Sequence, residues 1–261
     1  MLLSVILKVK ELEFCMVKFK DFLESKTSDE GIELTKEQLN QLQIYFEVLM
    51  QWNEKINLTS LKDPEEIAVK HFLDSLMILK YVKFPAGSSL MDVGTGAGFP
   101  GLVLKIIRPD LKVSLLDSLG KRLKFLKEMV DILNIRDAKI LHFRAEIAGK
   151  MPLYREQFDF VVARAVAPMF QLLEYCIPFV KVETGTFIAM KSKKGGEEVE
   201  TSEEAAIVLG AEFKKIENFY LTGDFYRSLV FYGKNRHTPP RFPRQTGQIR
   251  KKIIGKVKAN S

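Results

Sequence analysis

Four glycines, Gly94, Gly96, Gly98 and Gly101, fall within the stretch Leu90 to Gly101, LMDVGTGAGFPG, the first three at alternate positions. Glycines crowded after an apolar run mark a place where the backbone turns tightly or comes close to a ligand. The spacing here is G-x-G-x-G. A pyrophosphate fingerprint places its third glycine one residue later, and the lysine of a phosphate-binding P-loop is absent. Asp117 ends a second apolar run, LKVSLLD. A carboxylate at the tip of the next strand can accept hydrogen bonds from ribose hydroxyls, or it can only cap the helix that follows. Glu146 lies just past a third run, in FRAEIA. There it would meet the base end of a nucleoside stretched along the strand ends, or be a solvated loop glutamate. Together these residues point to a nucleoside-bearing cofactor without saying which one.

These residues need a sheet to hold them. Short apolar runs at 88–93, 112–117, 138–143, 158–163 and 184–191 alternate with helical stretches at 100–107, 120–133, 168–180 and 197–209. Such alternation predicts parallel strands with helices on both faces. Two more strands, 213–220 and 227–233, are too closely spaced for a crossover and are expected to be antiparallel. The fold class is therefore α/β, a doubly wound, seven-stranded, mostly parallel sheet. An N-terminal helical extension precedes it. Thr35 is a candidate N-cap for a helix with Leu39, Leu42, Tyr45, Leu49 and Trp52 near helical spacing. Asp63 caps a second helix with Pro64 in its first turn and Ile67, Phe72, Leu76 and Leu79 as its buried stripe. The expected organisation is a disordered extension over 1–15, a helical region over 16–87, a cofactor-binding core over 88–233 and a basic tail over 234–261.

Hydrophobic residues make up 46% of the chain and charged residues 28%, the balance of a soluble globular protein. Cys15 and Cys176 are the two cysteines, too few for a disulfide framework or a zinc site, which points to a reducing compartment. The opening MLLSVIL has neither the flanks of a signal peptide nor the length of a membrane span. The net charge is +7, and nine of the 40 basic residues lie from Lys234 onward, with none of the 33 acidic ones. Prolines at 239, 240 and 243 make this tail an expected irregular segment. It is either a solubilising extension or an arm that neutralises phosphates.

DVGTGAG followed by LLDS resembles the class I S-adenosylmethionine methyltransferases. More narrowly, DVGTGAGFPG, LLDSLGKRLKFL, RAE and ARAVAP, with WNEKINLTSL and KHFLDS upstream, resemble the glucose-inhibited division protein B family. Its members are guanine-N7 methyltransferases of 16S ribosomal RNA. The likeness spans about residues 35–233. It implies S-adenosyl-L-methionine as cofactor, bound by Gly94, Gly96 and Phe99 in the loop, Asp117 and Ser118 after the second strand, Ala145 and Glu146 after the third, and Arg164 after the fourth. Asp92 matches the family's acid beneath the loop. It also implies a Rossmann-like core, a cytoplasmic location, and 16S rRNA or the small ribosomal subunit, an assembly intermediate included, as partner. Neither a membrane nor a metal is implied, and a monomer is expected.

The residues after the fourth strand read VVARAVAP, without the N/D-P-P-Y/F sequence of enzymes that methylate an exocyclic amine. Cys176, mid-helix, reads as a packed core residue rather than a nucleophile. Guanine N7, the target that the resemblance implies, carries a free in-plane lone pair and needs no base. Arg164 is the candidate catalytic residue, by a hydrogen bond to the guanine or to the cofactor carboxylate; an ordinary ion pair is the alternative. Lys191, Arg241 and Arg244 are candidates for RNA contact. His71, Asp74 and Ser75 share one helix and are read as a structural hinge. Two other classes stay open: an NAD-dependent oxidoreductase, and a non-catalytic RNA-binding module on a relic cofactor fold.

Overall fold

The computed structural model describes residues 18–251, apart from 194 and 224, together with 253 and 254. The expectation of a disordered extension over 1–15, and with it Cys15, lies outside these residues. Helix α1 covers 18–29. Helix α2 (Lys36–Ile56) begins as its sequence predicts. Thr35 Oγ1 accepts from the Gln38 amide at 3.2 Å while Gln38 Oε1 accepts from the Thr35 amide at 2.9 Å, a reciprocal cap. Helix α3 (Pro64–Ile67) starts on Asp63, whose Oδ1 accepts from the Glu66 amide at 2.9 Å. The chain then widens into a π-helical segment (Ala68–Leu73) before α4 (Asp74–Leu76) and α5 (Ile78–Tyr81). This widening was not legible from the apolar spacing. Every residue from Phe72 to Ile78 is buried, including Asp74 and Ser75, so this helix is enclosed on all sides rather than lying on a surface.

The strands are β1 (Ser89–Val93), β2 (Lys112–Asp117), β3 (Ala138–His142), β4 (Phe160–Arg164), β5 (Thr186–Lys191), β6 (Ala211–Tyr220) and β7 (Tyr226–Lys234). They form one seven-stranded sheet in the order β3-β2-β1-β4-β5-β7-β6. The first five are parallel, and β7 pairs antiparallel with both β5 and β6, as expected for so short a connection. The chain winds outward from β1 to β3 and returns with β4 beside β1. That reversal opens a crevice at the carboxyl ends of β1 and β4, where ligands of such sheets bind.

Helices α6 (Gly101–Ile107) and α7 (Gly120–Ile132) pack with the N-terminal helices on one face. The other face carries the short α8 (Ala145–Ala148), α9 (Met169–Cys176) and α11 (Glu203–Leu209). The single helix expected over 197–209 is two, α10 (Gly195–Glu200) and α11, because the chain turns at Thr201 and Ser202. Cys176 is fully buried among the apolar side chains of the second face, as its setting predicted.

The tail departs from expectation. Residues 235–245 are irregular, as their prolines predict, but the segment packs on the core rather than lying beyond it. Strand β7 runs on to Lys234, whose fully buried ammonium donates to Glu156 Oε1 at 2.7 Å and to the Ile177 carbonyl at 3.0 Å. The Arg155 guanidinium donates to the carbonyls of Thr238, Pro239 and Phe242. Phe242, Ile249 and Ile254 are buried in the second core, and α12 (Thr246–Lys251) packs near α9. Charge and proline content concealed a few widely spaced apolar anchors, and the arginine clamp satisfies carbonyls that no strand partner takes.

Ile249→Ala is therefore expected to lower stability by about 2–4 kcal/mol, whereas the exposed Lys251→Ala stays within about 0.5 kcal/mol. Urea unfolding of the full-length variants measures both. Equal midpoints would show that the tail does not pack as described.

Candidate active site

Asp92, fully buried near the end of β1, organises the glycine loop. Its Oδ2 accepts from Thr95 Oγ1 at 2.7 Å and from the Gly101 amide at 2.8 Å, while Oδ1 has no partner. Burial pushes this carboxyl up to about 6, although both hydrogen bonds oppose the shift. The loop leaves no room for side chains where it meets its neighbours. A Cβ on Gly101 would come 2.7 Å from Asp92 Oδ2, and one on Gly98 (φ +94°) would collide with the Tyr45 hydroxyl, which donates to the Ala97 carbonyl.

The loop amides are engaged within the protein. Those of Gly94 and Thr95 donate to the Leu116 carbonyl, those of Gly98 and Phe99 to the Thr95 carbonyl, and that of Gly96 to Asp117 Oδ2 at 2.9 Å. These five amides are therefore not free donors for a pyrophosphate.

A cavity of about 340 Å³ opens at the carboxyl ends of β1, β2 and β4. Gly94, Asp117, Ser118, Ala145 and Glu146 line it, all expected from the sequence, while Gly96, expected with them, is not among the lining residues. Asp117 is 4% exposed. Its Oδ1 accepts from the Leu119 amide at 2.8 Å, and Oδ2 also receives Arg122 Nη1 at 3.3 Å. A carboxylate offers about four acceptor sites. One remains open, and the long Arg122 contact is readily displaced, so Asp117 fits a ribose diol. Glu146 supplies a second acceptor further along. Hydroxyl and amine donors suit these two carboxylates. A nucleoside cofactor without a pyrophosphate fits the residues present. Sequence reasoning missed Ala165, Thr246 and Arg250, which also line the cavity; only the tail's charge hinted at the last.

The match to a family decides between the readings. The model described as GidB, rRNA small subunit methyltransferase G, matches residues 38–225. The chain belongs to that family. It is 47% identical over 233 residues to the ribosomal RNA small subunit methyltransferase G of Acetivibrio thermocellus, covering 89% of this chain and 95% of that one. It is 45% identical over 240 residues to the protein of that name from Bacillus cereus, covering 92% and 98%. Among solved structures it is similar to a mutant of MtNAS, with a TM-score of 0.52, 12% identity and coverage of 77% and 75%. It is also similar to TrmN of Thermus thermophilus, with a TM-score of 0.50, 14% identity and coverage of 64% and 53%. These likenesses support the fold.

Arg164 and Phe99 form the layer behind the cavity of this methyltransferase rather than its lining. The Arg164 guanidinium donates to Asp74 Oδ2 at 3.0 Å and to the Lys70 carbonyl at 3.1 Å. It lies 5.1 Å over the Phe99 ring. Phe99 in turn stacks on Tyr45 and on His71. Asp74, a buried carboxylate, also receives Arg227 Nε and Nη2 at 3.0 and 2.9 Å, because an unpaired charge there would be very costly. Burial first, and the Arg164 charge next, hold the His71 imidazole down at about 3, so it is neutral at physiological pH. Its Nε2 meets Thr59 Oγ1 at 2.7 Å. The alternative of an ion pair at Arg164 is thus what the structure contains. A contact with guanine or cofactor would require the bond to Asp74 to open.

The candidates for RNA contact divide. Lys191, 10% exposed, pairs with Glu198 at 2.6 Å and donates to the Ala167 carbonyl. Arg244 donates from Nε and Nη2 to the fully buried Glu174. Both were expected to reach RNA phosphate; both instead neutralise carboxylates of the fold. Arg241 is exposed, resting on Phe242.

Asp92 binds a proton in the native state that the unfolded chain releases between about pH 4 and pH 6. Its contribution to stability therefore falls as pH rises through that window. Asp92→Asn lacks the effect. The variant should gain roughly 2–3 kcal/mol relative to the parent between pH 4 and pH 7, measured by urea unfolding at both. A constant difference would show that Asp92 titrates normally.

Proposed function

We propose that this methyltransferase binds S-adenosylmethionine in the cavity at the β1/β4 crevice and methylates N7 of a guanine in the 530 loop of 16S rRNA. The observation that carries the reading is the meeting of Gly94, Asp117 and Glu146 around one cavity whose loop amides are already engaged. The relatives named ribosomal RNA small subunit methyltransferase G support the substrate class. The engaged amides count against a dinucleotide, and with it against an oxidoreductase.

When bound, S-adenosylmethionine supplies an electrophilic methyl group on a sulfonium. The chain's own residues hold and orient. Asp117 accepts from the ribose hydroxyls and Glu146 from the base amine. Gly94 and Gly96 let the backbone run beside the cofactor without a Cβ. Guanine N7 loses no proton on attack, so the protein needs no general base. Its contribution is in-line positioning and exclusion of water.

Arg164 acts on the guanine or the cofactor carboxylate once its bond to Asp74 opens. Asp74 carries a second arginine, Arg227, so Arg164 can leave that carboxylate without stranding its charge. Arg241 meets RNA phosphate, and Lys191 joins it once Glu198 releases it. The enzyme acts as a cytoplasmic monomer without a metal, on 16S rRNA or the small subunit.

Calorimetric titration should show binding of S-adenosylhomocysteine and none of NAD. Labelled S-adenosylmethionine should transfer its methyl group to unmodified 16S rRNA, at a single guanine found by reverse-transcription mapping. Label on no ribosomal substrate would sink the proposal. Asp117→Ala should weaken cofactor binding by about 1–3 kcal/mol, because buried hydroxyls lose a charged acceptor. An unchanged dissociation constant in a folded variant would remove Asp117 from the site.

A further inference from the structure

The basic C-terminal segment reaches the cavity described above. Thr246 and Arg250, one helical turn apart on α12, both line it beside Ala145 and Glu146. Thr246 Oγ1 donates to Glu146 Oε1, which leaves the second oxygen of Glu146 for another donor. Arg250 is exposed, and no ion pair engages its guanidinium among the described residues. The placement is anchored on both sides. Ile249, between the two, is fully buried. Just upstream, the Arg244 amide and guanidinium both donate to Glu174, a fully buried carboxylate of α9. Phe242 is buried in the same core. A segment fixed by a buried ion pair and two buried apolar side chains holds its intervening residues in place, so their position on the cavity wall is built into the fold.

We propose that Thr246 and Arg250 are cofactor-binding residues: Thr246 orients Glu146 toward the base of the nucleoside, and Arg250 lays its guanidinium against that base. The proposal rests on the reading of this cavity as the S-adenosylmethionine site. It extends that site to a part of the chain that β-strand topology would leave outside it. A planar guanidinium stacks on a purine face and does not require a charged ligand. A hydroxyl that occupies one carboxylate oxygen restricts the rotamer of the other, as groups supporting a binding residue do.

The test is calorimetric titration of full-length protein with S-adenosylhomocysteine. Arg250→Ala should weaken binding about three- to tenfold with an unchanged urea midpoint, since its side chain is exposed. Thr246→Val should weaken binding by a similar factor, and Thr246→Ser should restore it. In the Glu146→Ala background, Thr246→Val should cause no further loss, because Thr246 acts through Glu146. Trypsin cleavage after Arg250 should slow when S-adenosylhomocysteine is present. Affinities of Arg250→Ala and Thr246→Val within twofold of the parent, with Asp117→Ala clearly weakened, would overturn the role of the C-terminal segment and leave the cavity assignment standing. An unmodified protein that binds no S-adenosylhomocysteine would overturn both.

Discussion

Asp92 holds the start of α6 and the glycine loop with one carboxylate oxygen, and the geometry of the site follows from that contact. The carboxylate pulls the Gly101 amide and the Thr95 hydroxyl together beneath the sheet edge. The chain between them must then fold through a space too tight for side chains at Gly98 and Gly101. Burying the acid is unfavourable: one oxygen stays without a partner, and burial pushes the carboxyl up to about 6. The return is a loop whose amides are taken by the Leu116 and Thr95 carbonyls and by Asp117. It presents Gly94 to the cavity, with carboxylates at the ends of the neighbouring strands.

A second buried carboxylate joins the helical extension to the core. Asp74 comes from the widened helix, Arg164 from the end of β4 and Arg227 from β7. None of these charges could be buried alone. Phe99 carries the linkage into the glycine loop, packed between Tyr45, His71 and the Arg164 guanidinium. The N-terminal helices are thus part of the wall behind the site. Two arginines neutralise the one acid, Asp74.

The strands, their order of appearance and the antiparallel last pair were legible because each depends on local pattern: apolar runs of strand length, helical spacing between them, and a connection too short to cross over. The glycine loop, Asp117 and Glu146 were legible for the same reason, since residues at strand ends converge on one edge of any such sheet. Caps at Thr35 and Asp63 were equally local. The π-helical widening at Ala68–Leu73 was not, because it is imposed by packing on all sides and leaves no mark on the spacing of apolar residues.

What only the tertiary structure decided is which charges are free. Lys191, Arg164 and Arg244 read in sequence as cations available to a nucleic acid or cofactor, and each is instead held by a carboxylate distant along the chain, Glu198 excepted, which is near it. The tail read as a surplus of charge and became a wall of the cavity, because Phe242, Ile249 and the Arg244–Glu174 pair draw it onto the second core. Sequence determines the chemistry a residue can offer and, where the pattern is periodic, the element that carries it. Whether a charge faces a ligand or a buried partner depends on contacts between residues far apart in sequence, and those are formed only when the chain has folded.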